Sequence, residues 1–295
     1  MNVSFLGLGA IGEPMARHLA RDPFRLTVWN RSAEKSARFG ESTGASVART
    51  PAEAARASDI VITCLPSSRE VEALVQGEEG LQAGLREGTL LIDCTSGDPA
   101  TSRSIAAALR GRGVEFVDAP VSGGVKGAEA GALTVMCGGE TESIERARPV
   151  LQAFGKRIVH CGPVGAGHAV KAMNQALLAV NIWAGGEALA TLAKLGVDAQ
   201  VALEVINGSS GRSNVTENLF TERVVGRRYP RTFKLALLEK DVSIAAAIAN
   251  EENVPSPFVD LAARLFAEAR AELGEEADHV EAVLSIEKRA GVRIS

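Results

Sequence analysis

The sequence has 295 residues, of which 46% are hydrophobic and 23% are charged. This length allows one large domain or two ordinary ones, and the composition is that of a soluble globular chain rather than a disordered one. The formal net charge of −4 argues against nucleic acid, or an acidic membrane surface, as a partner held by bulk charge.

Cysteine spacing and hydropathy bear on the location of the chain. No uninterrupted apolar run of about 18 residues occurs, so we predict no membrane span, and "MNVSFLGLGAIG" has neither the basic region nor the cleavage site of a signal peptide. The cysteines at 64, 94, 137 and 161 are scattered singly, which fits neither a metal site nor a disulfide framework. We expect reduced thiols, no metal and a cytoplasmic location.

Short apolar runs alternate with longer amphipathic ones up to about residue 162. The predicted strands are 2–6, 25–30, 59–64, 89–94, 114–118, 132–137 and 157–161, and the helical patterns between them include 11–21, 98–111 and 142–154. This alternation is typical of βαβ units and a largely parallel sheet. Beyond residue 162 the helical patterns lengthen and no strand is predicted. We therefore predict an α/β fold class: a Rossmann-type doubly wound sheet for NAD(P) in 1–162, then an all-α domain for substrate and oligomerisation in 163–295.

The first predicted strand leads directly into "GLGAIG", which places Gly7, Gly9 and Gly12 in G-x-G-x-x-G spacing. In a dinucleotide-binding turn the first glycine allows the tight turn, the second admits the pyrophosphate, and the third lets helix and strand pack closely. The N-terminus of the following helix offers N–H groups to the phosphates. We predict that the whole loop binds the cofactor: Gly7, Leu8, Gly9, Ala10, Ile11 and Gly12.

The second predicted strand ends in "WNRSAEK", with Asn30, Arg31, Ser32 and Lys35. An NAD site usually has a carboxylate here for the ribose 2′-OH, whereas two cations and a hydroxyl suit a 2′-phosphate. NADP(H) is favoured and NAD(H) remains possible. The alternative is that Arg31 is an ordinary surface arginine.

Two further strand ends lie on the expected cofactor side. "VITCLPSS" ends in Leu65 and Pro66, and "LIDCTSGD" ends in Thr95. Ligands bind beyond the carboxyl ends of parallel strands, so we predict contacts with the nicotinamide half of the cofactor. The alternative is that both segments are simple turns.

The segment "GHAVKAMNQALLAVN", residues 167–181, contains one lysine, Lys171, in a helical pattern that is otherwise largely apolar. Asn174 and Gln175 follow three and four residues later on the same helix face. A lysine is rarely buried unless it is paired or functional; the alternative is a solvent-facing polar stripe. We expect His168, one turn earlier, to be a capping or surface residue.

Four segments carry a resemblance to a known family. They are "GLGAIGEPMARHL" at the N-terminus, "DAPVSGGVKGAEAGALTVMCGG" at 118–139, "GAGHAVKAMNQ" around Lys171 and "LEKDVSIA" around Lys240. Over essentially the whole chain, the sequence resembles β-hydroxyacid dehydrogenases, particularly 3-hydroxyisobutyrate dehydrogenases.

The resemblance implies roles for the matching positions. It makes Lys171 the catalytic acid/base, assigns Asn174 and Gln175 to substrate binding, and brings Lys240 to the cofactor. It also implies that the substrate carboxylate is held by Ser122, Gly123 and Gly124. The family pattern is Lys-x-x-Asn-Asn, so Gln175 is a departure from it that leaves the exact substrate size open.

The expected chemistry follows from these residues. A 3-hydroxy acid is oxidised by hydride transfer to the cofactor, and the protein must move the hydroxyl proton. Burial lowers the pKa of a lysine, which suits proton transfer near neutral pH and is impossible for arginine. We predict NAD(P)-dependent oxidation of a small 3-hydroxy acid to its semialdehyde, with 3-hydroxyisobutyrate to methylmalonate semialdehyde favoured. The alternatives are a semialdehyde or glyoxylate reductase of the same family, or a non-catalytic nucleotide-binding interaction protein.

The apolar helix that starts near residue 168 has more hydrophobic surface than one small all-α domain readily covers. We therefore predict a homodimer or homotetramer, with no nucleic acid or membrane partner.

Overall fold

A computed structural model describes residues 1–294. By its internal contacts the chain divides into two compact units, Met1–Lys171 and the segment that begins at Ala172. The predicted boundary, at residue 162, is where the last strand ends. The two divisions differ because a helix that begins at Ala166 continues past Lys171. How the chain divides into folding domains stays a prediction.

The first unit contains a nine-stranded sheet and helices on the connections between strands. The strands are β1 (Asn2–Leu6), β2 (Arg25–Trp29), β3 (Ser46–Val47), β4 (Ile60–Thr63), β5 (Leu90–Asp93), β6 (Glu115–Asp118), β7 (Val121–Ser122), β8 (Leu133–Gly138) and β9 (Gly155–Gly162). The helices are α1 (Gly12–Leu19), α2 (Ala33–Thr43), α3 (Pro51–Arg56), α4 (Ser68–Gln76), α5 (Pro99–Arg110), α6 (Gly124–Glu129) and α7 (Thr141–Leu151), with a 3₁₀ turn at Leu81–Ala83.

The strand order is β3-β2-β1-β4-β5-β6-β8-β7, with β9 beside β8. The pairs from β3 through β6 are parallel, and so is the β8–β9 pair, whereas β8 runs antiparallel to β6 and β7. The order of the first six strands is that of a dinucleotide-binding doubly wound sheet, which confirms the predicted fold class. Its carboxyl edge is the expected position of a bound cofactor.

Both faces of the sheet are buried under helices, as expected for parallel strands. In β1, Phe5 packs into one apolar cluster and Leu6 into another. In β4, Ile62 and Val61 divide in the same way. This alternation follows from the period of two along a strand, and it explains why these strands are apolar at successive positions.

The second unit is helical, as predicted. Its elements are the greater part of α8 (Ala166–Lys194), then α9 (Ala199–Asn207), a π-helix (Val215–Val225), α10 (Leu235–Glu251), α11 (Pro257–Leu273), a 3₁₀ turn (His279–Glu281) and α12 (Ala282–Ala290). Phe220, Leu238 and Phe266 are fully buried and belong to one apolar cluster of this unit.

Helix α8 has 29 residues and is, within residues 1–294, the one helix long and apolar enough to cross a bilayer by length and composition. A single helix of this kind is weak evidence, because a core helix of a soluble protein passes the same test. The absence of a membrane partner therefore stays a prediction.

Candidate functional site

The glycine loop that follows β1 has three glycines in three different surroundings. Gly7 has φ +108°, and a Cβ there would overlap the carbonyl oxygen of Cys64. A Cβ on Gly12 would overlap the carbonyl oxygen of Gly7. Beside Gly9 the described residues leave open space, with no heavy atom within 4 Å of an added Cβ. The chain itself requires Gly7 and Gly12, whereas Gly9 leaves the loop surface open to a ligand.

Helix α1 begins directly after this open surface. Gly9 and Ala10 are exposed, and among the described residues no side chain caps the helix at Ile11. The first N–H groups of a helix need acceptors, and a phosphate supplies them. The loop therefore fits the pyrophosphate of a dinucleotide.

Asn30 joins the end of β2 to the glycine loop. Its Oδ1 accepts a hydrogen bond of 3.0 Å from the backbone N–H of Leu8, and its Nδ2 donates to the carbonyl oxygen of Ser32 at 3.3 Å. The predicted cofactor residues Leu8, Asn30 and Ser32 are thus brought together. The Asn30 side chain therefore holds the glycine loop next to the end of β2 through its hydrogen bonds.

The end of β2 carries basic groups instead of a carboxylate. Arg31 and Lys35 are exposed, and Lys35 lines an open depression of about 650 Å³ together with Gly9 and Ala10. The next acidic residue, Glu34, lies 3.2 Å from Arg38 in an exposed ion pair. These residues fit a cofactor with a 2′-phosphate, because cations and a hydroxyl bind phosphate where a carboxylate would repel it.

The ends of β4 and β5 are held together by a side chain that sequence reasoning missed, Asp93. Its Oδ1 accepts hydrogen bonds from Thr63 Oγ1 at 2.9 Å and from the N–H of Thr95 at 3.1 Å. Thr95 Oγ1 in turn accepts from the N–H of Leu65 at 3.1 Å. The structure thus brings the predicted contacts Leu65 and Thr95 together, with Pro66 following in the same loop. The available signal was an acidic residue closing the otherwise apolar strand "LLID".

Asp118, at the end of β6, fixes the start of α8. Its two carboxylate oxygens accept hydrogen bonds from the N–H of Gly165 at 2.6 Å and of His168 at 2.9 Å. Burial raises the pKa of Asp118, against the lowering effect of His168 and of these two hydrogen bonds. A Cβ on Gly167 would overlap the carbonyl oxygen of Met136. The glycines here allow close packing between α8 and the sheet.

His168 is fully buried, so the expectation of a capping or surface residue is wrong. Its backbone N–H is capped by Asp118, and its side chain points into the unit. Nδ1 lies 2.7 Å from Ser102 Oγ. Nε2 lies 3.9 Å from Asp93 Oδ2 and has no hydrogen-bond partner among the described residues. Sequence spacing cannot reveal this because the partners lie on α5 and β5.

Lys171, the last residue of the first unit, is 8% exposed. The alternative of a solvent-facing lysine therefore does not hold. Asn174, three residues later, is exposed, whereas Gln175 is buried. Of these three polar residues on α8, Lys171 and Gln175 are thus buried and Asn174 is exposed.

The predicted carboxylate anchor lies where β7 ends and α6 begins. Ser122 is the last residue of β7, and Gly123 and Gly124 have φ values of +137° and +63°. Only glycine adopts such backbone angles readily. Both glycines are exposed, and successive N–H groups in a turn of this kind can form an anion-binding nest. The three predicted residues therefore lie together in a segment that fits a carboxylate.

In the second unit, Asp241 joins three predicted site residues. One carboxylate oxygen accepts a 3.0 Å hydrogen bond from Gln175 Nε2, and the other lies 3.0 Å from Lys240 Nζ. Gln175 Oε1 accepts from Asn174 Nδ2 at 3.3 Å. Because a carboxylate can only accept, it fixes the orientation of the Gln175 amide.

The described cysteines are free thiols. Burial raises the pKa of Cys64 and Cys137 to about 12, so both remain thiols near neutral pH and are poor nucleophiles. Within the described residues, no group of three or more His, Cys, Asp or Glu side chains could hold a metal ion.

Comparison with known proteins covers both units. Residues 2–162 match the family described as the NAD binding domain of 6-phosphogluconate dehydrogenase, and residues 165–286 match the family described as NAD-binding of NADP-dependent 3-hydroxyisobutyrate dehydrogenase.

Individual relatives match over almost the full length. The chain is 38% identical over 271 residues to the NAD-dependent L-serine dehydrogenase of Pseudomonas aeruginosa, covering 90% of each. It is 35% identical over 296 residues to the 2-(hydroxymethyl)glutarate dehydrogenase of Eubacterium barkeri, covering 100% of this chain and 98% of the relative. The structure of Mycobacterium tuberculosis 3-hydroxyisobutyrate dehydrogenase with L-serine has a TM-score of 0.88 and 31% identity, covering 97% of this chain and 98% of that one.

Proposed function

Because this chain belongs to the β-hydroxyacid dehydrogenase family, we propose that it oxidises the primary alcohol of a small 3-hydroxy acid to the semialdehyde, with NADP⁺ favoured as the hydride acceptor. Family membership makes the chain a hydroxyacid dehydrogenase with a nicotinamide cofactor and excludes the non-catalytic alternative. The observation that carries the proposal is a lysine, Lys171, that is 8% exposed in the family's catalytic segment.

The names of the relatives define a substrate class. 3-Hydroxyisobutyrate, L-serine and 2-(hydroxymethyl)glutarate all contain a CH₂OH group on the carbon next to a carboxylate. They differ in the third substituent of that carbon, which is a methyl, an ammonium or a carboxyethyl group. We propose a 2-substituted 3-hydroxypropanoate as substrate, and 3-hydroxyisobutyrate, which would give methylmalonate semialdehyde, is the first choice.

We assign the main steps of the reaction to residues of the first unit. Ser122 would bind the substrate carboxylate through its hydroxyl, and Gly123 and Gly124 through their N–H groups. When bound, the nicotinamide ring supplies the acceptor for the hydride from C3. Lys171, as a neutral amine, would take the proton of the 3-hydroxyl, become an ammonium and return the proton in the reverse direction. The removal of water from a buried lysine favours the neutral form that this step requires.

The cofactor preference rests on the end of β2. Asn30 occupies the strand end, while the exposed Arg31 and Lys35 offer two positive charges. The 2′-phosphate of NADP would be stabilised by these charges, whereas the 2′-OH of NAD would lack the usual carboxylate partner. We therefore propose NADP(H) as the preferred cofactor.

The quaternary structure is also a proposal. On α9, Val201 and Val205 share one face and are 53% and 63% exposed, and Leu195 in the preceding loop is exposed as well. Exposed apolar side chains on one helix face are a common site of contact with another chain. We propose a homodimer or homotetramer, which light scattering on the purified protein would detect as twice or four times the chain mass.

A steady-state assay with both cofactors tests the proposed reaction. The panel consists of 3-hydroxyisobutyrate, L-serine, 2-(hydroxymethyl)glutarate and a 2-hydroxy acid such as lactate as the control. We expect kcat/KM to be highest for a compact 3-hydroxy acid with NADP⁺ and lactate to be inert. Faster turnover of lactate than of every 3-hydroxy acid would contradict the proposal.

A further inference from the structure

Three segments of the first unit meet at His168 on α8. Asp118, at the end of β6, holds the backbone N–H of His168, and Ser102, on α5, lies 2.7 Å from Nδ1. Asp93, at the end of β5, approaches the ring from the other side. All four side chains are more than nine-tenths buried. The ring is therefore enclosed by protein at the sheet edge where the cofactor is expected.

The two oxygens of the Asp93 carboxylate have different neighbours. Oδ1 holds Thr63 and the N–H of Thr95, so it sets the end of β5. Oδ2 lies 3.9 Å from His168 Nε2, which has no hydrogen-bond partner among the described residues. A buried polar atom without a partner is uncommon and calls for an explanation. At 3.9 Å the two groups are too far apart for a hydrogen bond, and a movement of about 1 Å would form one.

The two groups belong to different parts of the proposed site. Asp93 orders Thr95, whose hydroxyl holds the N–H of Leu65, and both loops are proposed to contact the nicotinamide half of the cofactor. His168 lies three residues before Lys171 on α8, so the two residues share one side of the helix. A link between Asp93 and His168 would therefore couple the cofactor loops to the lysine.

We propose that His168 and Asp93 are positioning residues, which close into a hydrogen bond when the cofactor binds and thereby hold Lys171 in place for proton transfer. This inference rests on the proposed function of Lys171. In the closed pair, Nε2 carries the ring proton and donates to Asp93, while Ser102 donates to Nδ1. Hydrogen bonds that serve catalysis are often long in a ligand-free enzyme and shorten in the complex.

Two substitutions of His168 separate its two contacts. His168→Gln places an amide nitrogen near the position of Nε2 and can donate to Asp93, whereas His168→Asn reaches only the position of Nδ1 and Ser102. We expect His168→Asn to lower kcat at least tenfold and His168→Gln to retain at least half of the wild-type value. The dissociation constant for NADP⁺ should stay within twofold in His168→Gln. In His168→Asn it should rise by at most about tenfold, because the hydrogen bond that forms on cofactor binding is lost there. His160→Asn, at an exposed residue on β9, is the matched control and should have wild-type kcat.

The deuterium isotope effect on kcat distinguishes a positioning role of His168 from simple damage to the fold. With a substrate deuterated at C3, a misplaced base slows the chemical step, so the isotope effect on kcat should increase in His168→Asn. A smaller active fraction would lower kcat and leave the isotope effect unchanged, which would overturn the proposal. Wild-type kcat in His168→Asn would overturn it as well.

A measurement without turnover tests the closure itself. In full-length protein labelled with [¹⁵N]histidine, saturation with NADP⁺ should shift the His168 ring-nitrogen signals toward those of a ring that donates from Nε2. The same addition should leave the ring unshifted in Asp93→Asn, which keeps an acceptor for Thr63 and Thr95 but replaces the oxygen that faces Nε2. Identical spectra with and without NADP⁺ would refute the closure even if the enzyme is active. If no substrate is turned over, the closure can still be detected, so failure of the proposed function is recognised separately.

Discussion

The contrast between Gly9 and Gly12 gives a direct test of the cofactor loop. In Gly9→Ala the added methyl group meets no described heavy atom within 4 Å, and Gly9 has no positive φ that would strain alanine. The free energy of unfolding should therefore change by less than about 0.5 kcal/mol. In Gly12→Ala the methyl group overlaps the carbonyl oxygen of Gly7, and backbone cannot move aside cheaply. That variant should lose about 1–3 kcal/mol.

Binding of NADP⁺ should show the opposite sensitivity at Gly9. The space beside Gly9 is where the pyrophosphate is proposed to approach the backbone, and a methyl group would keep it away. Losing one hydrogen bond to a charged phosphate costs roughly 1.5–3 kcal/mol, which corresponds to about 10- to 150-fold weaker binding. Urea unfolding and calorimetric titration of NADP⁺ measure the two quantities. If Gly9→Ala binds NADP⁺ as well as the wild type, the pyrophosphate is not beside Gly9 and the account of the loop is refuted.

Three further predictions concern the cofactor, the substrate and pH. Arg31→Ala should weaken NADP⁺ by about 10- to 150-fold and NAD⁺ much less; equal effects in a titration would show that Arg31 does not bind the 2′-phosphate. Gln175→Asn should improve kcat/KM for longer substrates by a factor that corresponds to about 1–3 kcal/mol, and coincident chain-length profiles for the two proteins would rule out a role in substrate size. Asp278 and Arg223 are both buried, and Oδ1 of Asp278 lies 2.8 Å from Nη1 of Arg223. Burial acts to raise its pKa, but His279 and backbone N–H donors outweigh burial and hold the pKa well below its ordinary value. A depressed pKa contributes stability above about pH 4 that is lost as the pH falls, so Asp278→Asn should cost about 3 kcal/mol at pH 7 and less below pH 4 in urea unfolding; a cost that does not change with pH would contradict this assignment.

The sequence was most informative where local pattern alone determines structure. The apolar strands β1, β4 and β5 are recognisable because both faces of a parallel sheet are buried, and the spacing of Gly7, Gly9 and Gly12 indicates the loop that follows β1. The strands β3 and β7 were not predicted, because two residues cannot show a period. The all-α character of the chain beyond residue 162 was evident from the length of its helical patterns.

The residues that organise the site could not be predicted in the same way. Asp93 and His168 lie on different elements, and their relation exists only after β5 and α8 have packed together. His168 looked like a cap because its position at the helix start is visible in sequence, while the burial of its ring is not. Gln175 was correctly placed on the helix, but its hydrogen bond to Asp241 depends on contact with α10.

The central claim is that Lys171 acts as the base, and one comparison tests it most directly. Lys171→Ala should lower kcat at least about 10²-fold, the lower end for general acid–base catalysis, while NADP⁺ binding stays nearly unchanged. Lys194→Ala, at an exposed lysine at the other end of the same helix, should keep wild-type kcat and serves as the matched control. Turnover above a tenth of the wild-type rate in folded, NADP⁺-binding Lys171→Ala protein would contradict the account.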